Sequence, residues 1–410
     1  MIKSIIVFAF ATLSLLSADI RKDAERFIPK GWIIDEESVA SGDFNVDGKS
    51  DIALCYYKVA TSLGEIENRT NRILVLISKG KSSERVVDQP LAGEFDYGTP
   101  VQIDLDCGML DIFQHRGVMN QFSEWILSWD SVQNKFWTRS FSSGGVAGLG
   151  SATSFDEETG IGYIEKIWDD VEKTASYATI YAERLGGVLN IDGNDDEAAW
   201  KGVRTLDTCW ITYGRNSWEG KEDCWMSTRA LYDDENVYIF VKVADDSYVK
   251  PAKIEDLMSC DHLELWIDKL TSLVSEAGDY YPELWDRVKD PYVSQIALAE
   301  GSASKPILER WLPEDSDTRV FVKAGFSKSE KGVNYELAIP WSEFDYECSP
   351  SCASFSLVYS DSDNKSKPKQ ETLIATSELK WADPFTFGVL STTIPRRTYW
   401  GIEPITKEER

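Results

Sequence analysis

Four oxygen-bearing side chains crowd one short stretch near the start of the chain. Asp43, Asn45 and Asp47 occupy alternate positions, Gly48 follows, and Asp51 stands four residues after Asp47. Alternate side chains of a tight loop can turn inward together. Glycine permits the sharp turn, and a carboxylate a few residues on can return to the same point. With the backbone carbonyl of Lys49, this is a hard-oxygen ligand set of the kind that holds calcium. The competing reading of the same residues is an Asp/Asn/Gly turn without an ion. A second alternation, Asp192, Asn194 and Asp196, admits an ion as well, but its plainer account is a turn before Trp200, which would plug a core.

Other chemistry finds little support. His115 and His262 are the only histidines, and no Gly-x-Ser-x-Gly elbow is present, so a nucleophile–base–acid triad has few possible bases. Carboxylates are abundant, yet nothing singles out the pair that a glycosidase needs. Gly144 and Gly145 lack the strand-then-helix setting of a phosphate loop. There is no Cys-x-x-Cys spacing for zinc. The residues therefore point away from an enzyme. A formal charge of -26 repels phosphate backbones, so nucleic acid is not an expected partner.

The elements that must position these residues read as strands. Val237, Ile239, Val241 and Val243 alternate with Tyr238, Phe240 and Lys242, which is the period-two pattern of a strand, and Asp261–Asp268 forms another. Upstream, 73–77, 101–105, 122–129, 135–141, 160–168 and 175–183 read the same way, with 142–150 as a flexible loop. Between Asp268 and Lys323 lies a polar and aromatic insertion holding Trp285 and Trp311, with a short helix expected within 271–288 and a strand at 292–299. Length alone calls for more than one core. The expected division is a signal peptide at 1–18, a β-rich domain at 19–185, a second β domain at 186–393 and a polar, loosely held tail at 394–410.

The compartment follows from the first segment. Lys3, the apolar run from Ile5 to Leu16 and the small residues Ser17-Ala18 before Asp19 have the layout of a secretory signal. The run is too short for a membrane span, and no later stretch is long and apolar enough. A secreted or periplasmic protein is expected. In that setting seven cysteines suggest disulfides with one thiol left over. Cys55 with Cys107, Cys209 with Cys224, and Cys348 with Cys352 are plausible pairs, though spacing does not fix connectivity.

Two resemblances sharpen this picture. The loop from Asp43 to Asp51 has Leu54 where an EF-hand needs a bidentate Glu, and a strand follows it. It resembles instead the calcium loops of FG-GAP repeats, in a single copy. The larger resemblance rests on Ile191-Asp192-Gly193-Asn194, the 237–243 strand, Asp261-His262-Leu263-Glu264-Leu265-Trp266-Ile267-Asp268, Tyr335–Trp341, and Trp381-Ala382-Asp383-Pro384-Phe385-Thr386-Phe387-Gly388. In this order they resemble the family 9 carbohydrate-binding modules over roughly 186–393. That implies an antiparallel β-sandwich in an all-β protein.

It also implies a sugar held between two indoles. Trp381 falls where one sandwich Trp stands, and Glu264 falls where a hydroxyl-binding Glu stands. The partner Trp should lie three residues before Asp261, where this chain has Met258, and the family's sugar-contacting Arg has no match near Gln295–Ala299. Trp218, Trp225 or Trp285 could complete the sandwich, a flatter surface could take another glycan, or Trp381 could be a core ring. The expectation is an exported, non-catalytic protein that binds a saccharide by aromatic stacking, with calcium bracing the first domain. The rival expectation is a structural or protein-binding scaffold at the cell envelope.

Overall fold

The computed structural model describes residues 22, 24–63, 66–80, 82–91, 101–106, 108–116, 121–145, 149–168, 171–269, 293–301, 305–313, 319–329, 331–381, 383–393 and 399–406. The signal-like segment 1–18, Cys107, Trp285 and the helix expected within 271–288 lie outside them. Strands dominate, as the alternating patterns require, and the fold is all-β. Among the described residues no helix is long and apolar enough to cross a membrane.

The chain divides into two compact units. The first holds 1–158, 169–171 and 396–410, and the second holds 159–168 and 172–395. In the first, β1 (Ile33–Gly42), β2 (Asp51–Leu63), β3 (Ile66–Ser78) and β4 (Ser83–Pro90) make one antiparallel sheet in sequence order. A second antiparallel run comprises β5 (Val101–Asp106), β6 (Met109–Arg116), β7 (Gln121–Asp130), β8 (Lys135–Gly145) and β9 (Leu149–Asp156). Ile73, Val75 and Ile77 from one sheet meet Ile103, Leu110, Ile112 and Leu127 from the other in a shared core. The Ser142–Gly145 run is strand, not the expected loop. It lies between β7 and β9, with Ser142 opposite both Glu124 and Ser154, and pairing on both edges holds these small residues extended. Nor are the described tail residues loose. Trp400 is buried, its indole Nε1 donates to Thr138 Oγ1 at 3.0 Å, and Tyr399 donates to Asp130 Oδ2 at 2.7 Å.

The second unit starts earlier than the Leu185–Gly187 join expected from sequence. β10 (Ile161–Trp168) belongs to it, and so does nearly all of β11 (Val171–Arg184). Thr179–Tyr181 of β11 pair in parallel with 389–391, and Ala182–Arg184 pair in parallel with 230–232. The strand is thereby committed to the sandwich. The remaining strands are β12 (Trp210–Tyr213), β13 (Cys224–Tyr232), β14 (Asn236–Asp245), β15 (His262–Asp268), β16 (Val293–Glu300), β17 (Pro306–Leu312), β18 (Lys323–Ser329), β19 (Gly332–Pro340), β20 (Cys352–Asp361), β21 (Thr372–Ala375) and β22 (Val389–Ser391).

One sheet runs β13-β14-β19-β18, antiparallel throughout. The other runs β17-β16-β15-β20, continued by β21 and β22, each paired to a different part of β20. Val237, Ile239, Val241 and Val243 face Leu263, Leu265 and Ile267 across one large core. Each unit is therefore an antiparallel sandwich of the kind in which alternate residues fill the space between two sheets. Cys209, Cys224, Cys260, Cys348 and Cys352 are free thiols, so the 209–224 and 348–352 pairs are not formed. Cys209 Sγ points instead at the Met226 carbonyl, 3.3 Å away, and Cys224 packs in the core.

The 191–200 motif shows how the outer face of the β14–β19 sheet is sealed. Trp200 is fully buried, but against Phe240, Leu231 and Val203 on that outer face rather than in the core between the sheets. Glu336 of β19 anchors it. Its Oε1 accepts from Trp200 Nε1 at 3.1 Å, and its Oε2 accepts from Asp192 N at 2.9 Å and Gly193 N at 3.0 Å. Gly193 has φ +89°, and a Cβ there would sit 2.3 Å from the Phe326 carbonyl carbon, so only glycine fits. Asp192 Oδ1 accepts from the Asn194 backbone at 3.0 Å, which makes this stretch a turn. Replacing Glu336 with Ala leaves three donors without their acceptor, and we expect a loss of about 3 kcal/mol in chemical denaturation. A change below about 1 kcal/mol would contradict this role.

Candidate functional site

β15 is buried on both faces. Leu263, Leu265 and Ile267 enter the core, so His262, Glu264 and Trp266 must face the other way, onto the outer surface of their sheet. There Glu264 and Trp266 line a groove of ≈ 760 Å³. Its apolar floor includes Trp266, Val358, Leu312, Leu373 and Leu379, and its polar groups include Glu264, Gln295, Arg310 and Gln370. An apolar concavity with a few placed polar groups is the usual make-up of a small-ligand site.

Lateral hydrogen bonds fix the polar groups. Glu264 Oε2 accepts from Trp266 Nε1 at 2.7 Å and from Gln295 Nε2 at 2.9 Å. Its Oε1 lies 3.1 Å from His262 Nε2, and His262 Nδ1 lies 2.8 Å from the Cys260 carbonyl. Trp311 meets His262 edge-on at 5.3 Å and donates its Nε1 to Glu309 Oε2 at 2.8 Å. Arg310 is held by Glu343 Oε2 at 2.6 Å and by Ser294 Oγ. Each buried charge therefore has a partner, which its desolvation demands.

The 381–388 segment explains how an indole reaches solvent here. Pro384–Thr386 form one 3₁₀ turn whose first amide is capped by Asp383, with Phe385 N donating to Oδ1 at 3.3 Å. Phe385 and Phe387 are buried, and Phe387 lies 5.7 Å from Trp266, edge to face. The anchored turn leaves Trp381 at the groove rim, 57% exposed. Trp381 is thus not a core ring. Met258, where a second Trp was expected, also lines the groove and is 62% exposed.

The structure brings Trp381, Glu264 and Met258 to one groove and excludes two of the substitutes. Trp218 packs on the core with its Nε1 donating to the Cys224 carbonyl at 2.9 Å. Trp225 donates to Asp207 Oδ1 at 2.7 Å, carries Lys221 Nζ 4.1 Å above its ring and lines a separate recess. Their place in the β13 region sets them on the other sheet. Trp285 lies outside the described residues. Sequence reasoning missed Trp311 and Arg310. Both sit on β17, and the pairing of Ile296 with Arg310 carries them alongside Glu264 and Gln295.

The Asp43–Asp51 loop closes largely on itself. Asp43 Oδ1 and Oδ2 accept from Asp47 N at 2.9 Å and Gly48 N at 2.7 Å. Asp51 Oδ2 accepts from Phe44 N at 3.0 Å and its Oδ1 from Ser78 N at 2.8 Å. Burial pushes the Asp51 carboxyl up, offset by these amides and reinforced by the nearby charges of Asp47 and Asp43. Lys49 Nζ lies 3.1 Å from Asp47 Oδ2. The donors are hard oxygens close enough to repel one another, which suits calcium in kind. Asp51 already uses both oxygens on backbone amides that tie the loop to β3.

Residues 191–393 match the family model described as carbohydrate family 9 binding domain-like. The C-terminal half of the chain therefore contains a domain of this type. Solved structures similar to the chain include a family 9 carbohydrate-binding module from Caldicellulosiruptor kristjanssonii in complex with cellotriose, at 14% identity, covering 52% of this chain and 92% of that one, with a TM-score of 0.35. The same module in complex with glucose matches at 14% identity, covering 52% and 94%, with a TM-score of 0.35. No curated protein matches the chain.

The groove makes different demands on its two marked residues. Glu264→Ala removes the acceptor shared by Trp266 and Gln295, and we expect it to cost about 2–3 kcal/mol. Trp381→Ala, at an exposed rim, should stay within about 0.5 kcal/mol of the parent. Equilibrium urea denaturation of the two variants checks both values.

Proposed function

We propose that the protein is an exported, non-catalytic carbohydrate-binding protein whose second unit takes a saccharide in the groove beside Trp381. The observation that carries this reading is a solvent-open indole at the rim of a groove whose polar groups are already oriented. A sugar ring presents an apolar C–H face to an aromatic ring and a polar edge to hydrogen-bonding groups. Trp381 supplies the ring. Glu264, Gln295 and Arg310 supply acceptors and donors for hydroxyls, and Trp311 offers a second aromatic wall in place of the indole that Met258 lacks. Glu264 is held by three neighbours, an arrangement suited to recognition more than to proton transfer. The family 9 domain at 191–393 supports the same conclusion.

Titration of the full chain with gluco-, xylo- and manno-oligosaccharides should change its tryptophan fluorescence. Trp381→Ala should weaken binding at least about tenfold, or 1.4 kcal/mol, with its stability unchanged. No response across a broad glycan panel would instead favour a scaffold that binds an envelope protein.

The first unit is proposed to hold calcium between Asp43, Asn45, Asp47 and the Lys49 carbonyl, with Asp51 bracing the loop. Calcium there fixes loop geometry and does no chemistry. Isothermal titration should show that Asp47→Ala loses one bound calcium per chain, and unchanged stoichiometry would remove this site.

A further inference from the structure

The outer face of the β13-β14-β19-β18 sheet is built of cross-strand rows, because paired residues share a face. Arg229, Phe240 and Glu336 form one row, and the 191–200 turn covers it. The next row is Ser227, Lys242 and Asn334, and the one beyond is Trp225, Ala244 and Gly332. Trp225, Ser227, Lys242 and Ala244 from these two rows line a recess of ≈ 560 Å³, together with Thr205, Asp207, Ser329 and Lys331.

Small residues make the depression. Ala244 and Gly332 carry almost no side chain, so the Trp225 indole stands as a wall beside a low floor. Position 332 admits only glycine, because its φ is +144° and a Cβ would sit 2.4 Å from the Val243 carbonyl oxygen. That close approach, with Asp245 N donating to the Lys331 carbonyl at 2.7 Å, brings Lys331 over the end of β14.

The charge of the recess runs against that of the chain, which is -26 overall. Lys242 is exposed on the floor and, among the described residues, has no carboxylate partner. Lys331 pairs with Glu222, and both side chains are exposed. Lys221 Nζ lies 4.1 Å over the Trp225 ring and 3.6 Å from Asp207 Oδ2. Asp207 is the acidic residue of the lining, and Trp225 Nε1 also donates to it at 2.7 Å. Exposed ion pairs of this kind are weak and exchange partners at little cost. The cation on the floor is uncompensated, and those beside it are loosely held.

A fitting ligand has an apolar face for the indole, hydroxyls for Thr205, Ser227 and Ser329, and a negative group for the ammonium of Lys242. A sugar ring bearing a carboxylate combines all three on one small frame. The rest of the acidic surface does not forbid it, since charges more than about 8 Å away are largely screened at physiological ionic strength. We propose that this recess is a saccharide site of its own, selective for uronate-containing glycans. Lys242 takes the carboxylate, Lys331 assists, and Trp225 packs against the ring. The groove beside Trp381 belongs to the other sheet, so the two sites are independent.

The test is isothermal titration of the full chain with trigalacturonate. Binding should weaken as sodium chloride is raised. The fully methyl-esterified trimer, which keeps the sugar frame and lacks the charge, should bind at least about tenfold more weakly. Lys242→Ala should weaken trigalacturonate binding by a similar factor with an unchanged melting temperature, because its side chain is exposed and unpaired. Trp381→Ala should leave trigalacturonate binding as it was, whatever it does to neutral oligosaccharides. Absence of trigalacturonate binding by the unaltered chain overturns the proposal. So does equal binding of the esterified trimer, undiminished binding by folded Lys242→Ala, or loss of binding in Trp381→Ala, which would put the uronate in the groove.

Discussion

A strand buried on both faces must satisfy every polar side chain it carries from within the protein. β15 is such a strand. Its leucines and isoleucine close the core between the sheets, and its outer face presents His262, Glu264 and Trp266 with almost no access to water. An unpaired buried carboxylate costs several kcal/mol. The carboxylate of Glu264 is therefore pinned by Trp266, Gln295 and His262, and these ties fix the polar side of the groove. Orientation of the site and stability of the sheet are consequences of one constraint.

The two sheets of the second unit use their outer faces differently. On the β14–β19 sheet, the 191–200 turn folds over and buries Trp200, with Glu336 gathering two amides and an indole. On the β15–β20 sheet, the corresponding surface stays concave and open, and the capped turn at 383–386 places Trp381 at its edge. The same physics operates on both faces. A buried glutamate organises several donors, in one case to close a surface and in the other to leave it usable.

In the first unit a buried ion pair does comparable work. Arg72 is fully buried, bonds Asp88 through Nε at 3.1 Å, and reaches the Glu403 carbonyl through Nη2 at 2.5 Å. Tyr56 donates to the same Asp88 oxygen at 2.5 Å. The Glu403 carbonyl thus joins Asp88 and Tyr56 around the buried guanidinium and ties the described part of the tail to the sheet.

The sequence by itself determined what repeats locally. Period-two alternation marked β14 and β15, because a strand places successive side chains on opposite faces. The 381–388 motif singled out Trp381 by its resemblance to a family segment, but whether its ring faces solvent or the core stayed open until the fold placed it at the rim. Local spacing also drew attention to Asp43–Asp51. Tertiary structure decided everything that depends on pairing. Trp311 and Arg310 reach the groove only through the register of β16 with β17, and β11 left the first domain because its end pairs with strands far downstream. Trp225, Lys242 and Lys331 meet from β13, β14 and the β18–β19 turn, which no spacing rule connects. Alternation tells a residue which side of its strand it occupies, but the identity of the neighbouring strand is fixed by long-range hydrogen bonding and core packing, and those exist only once the chain has folded.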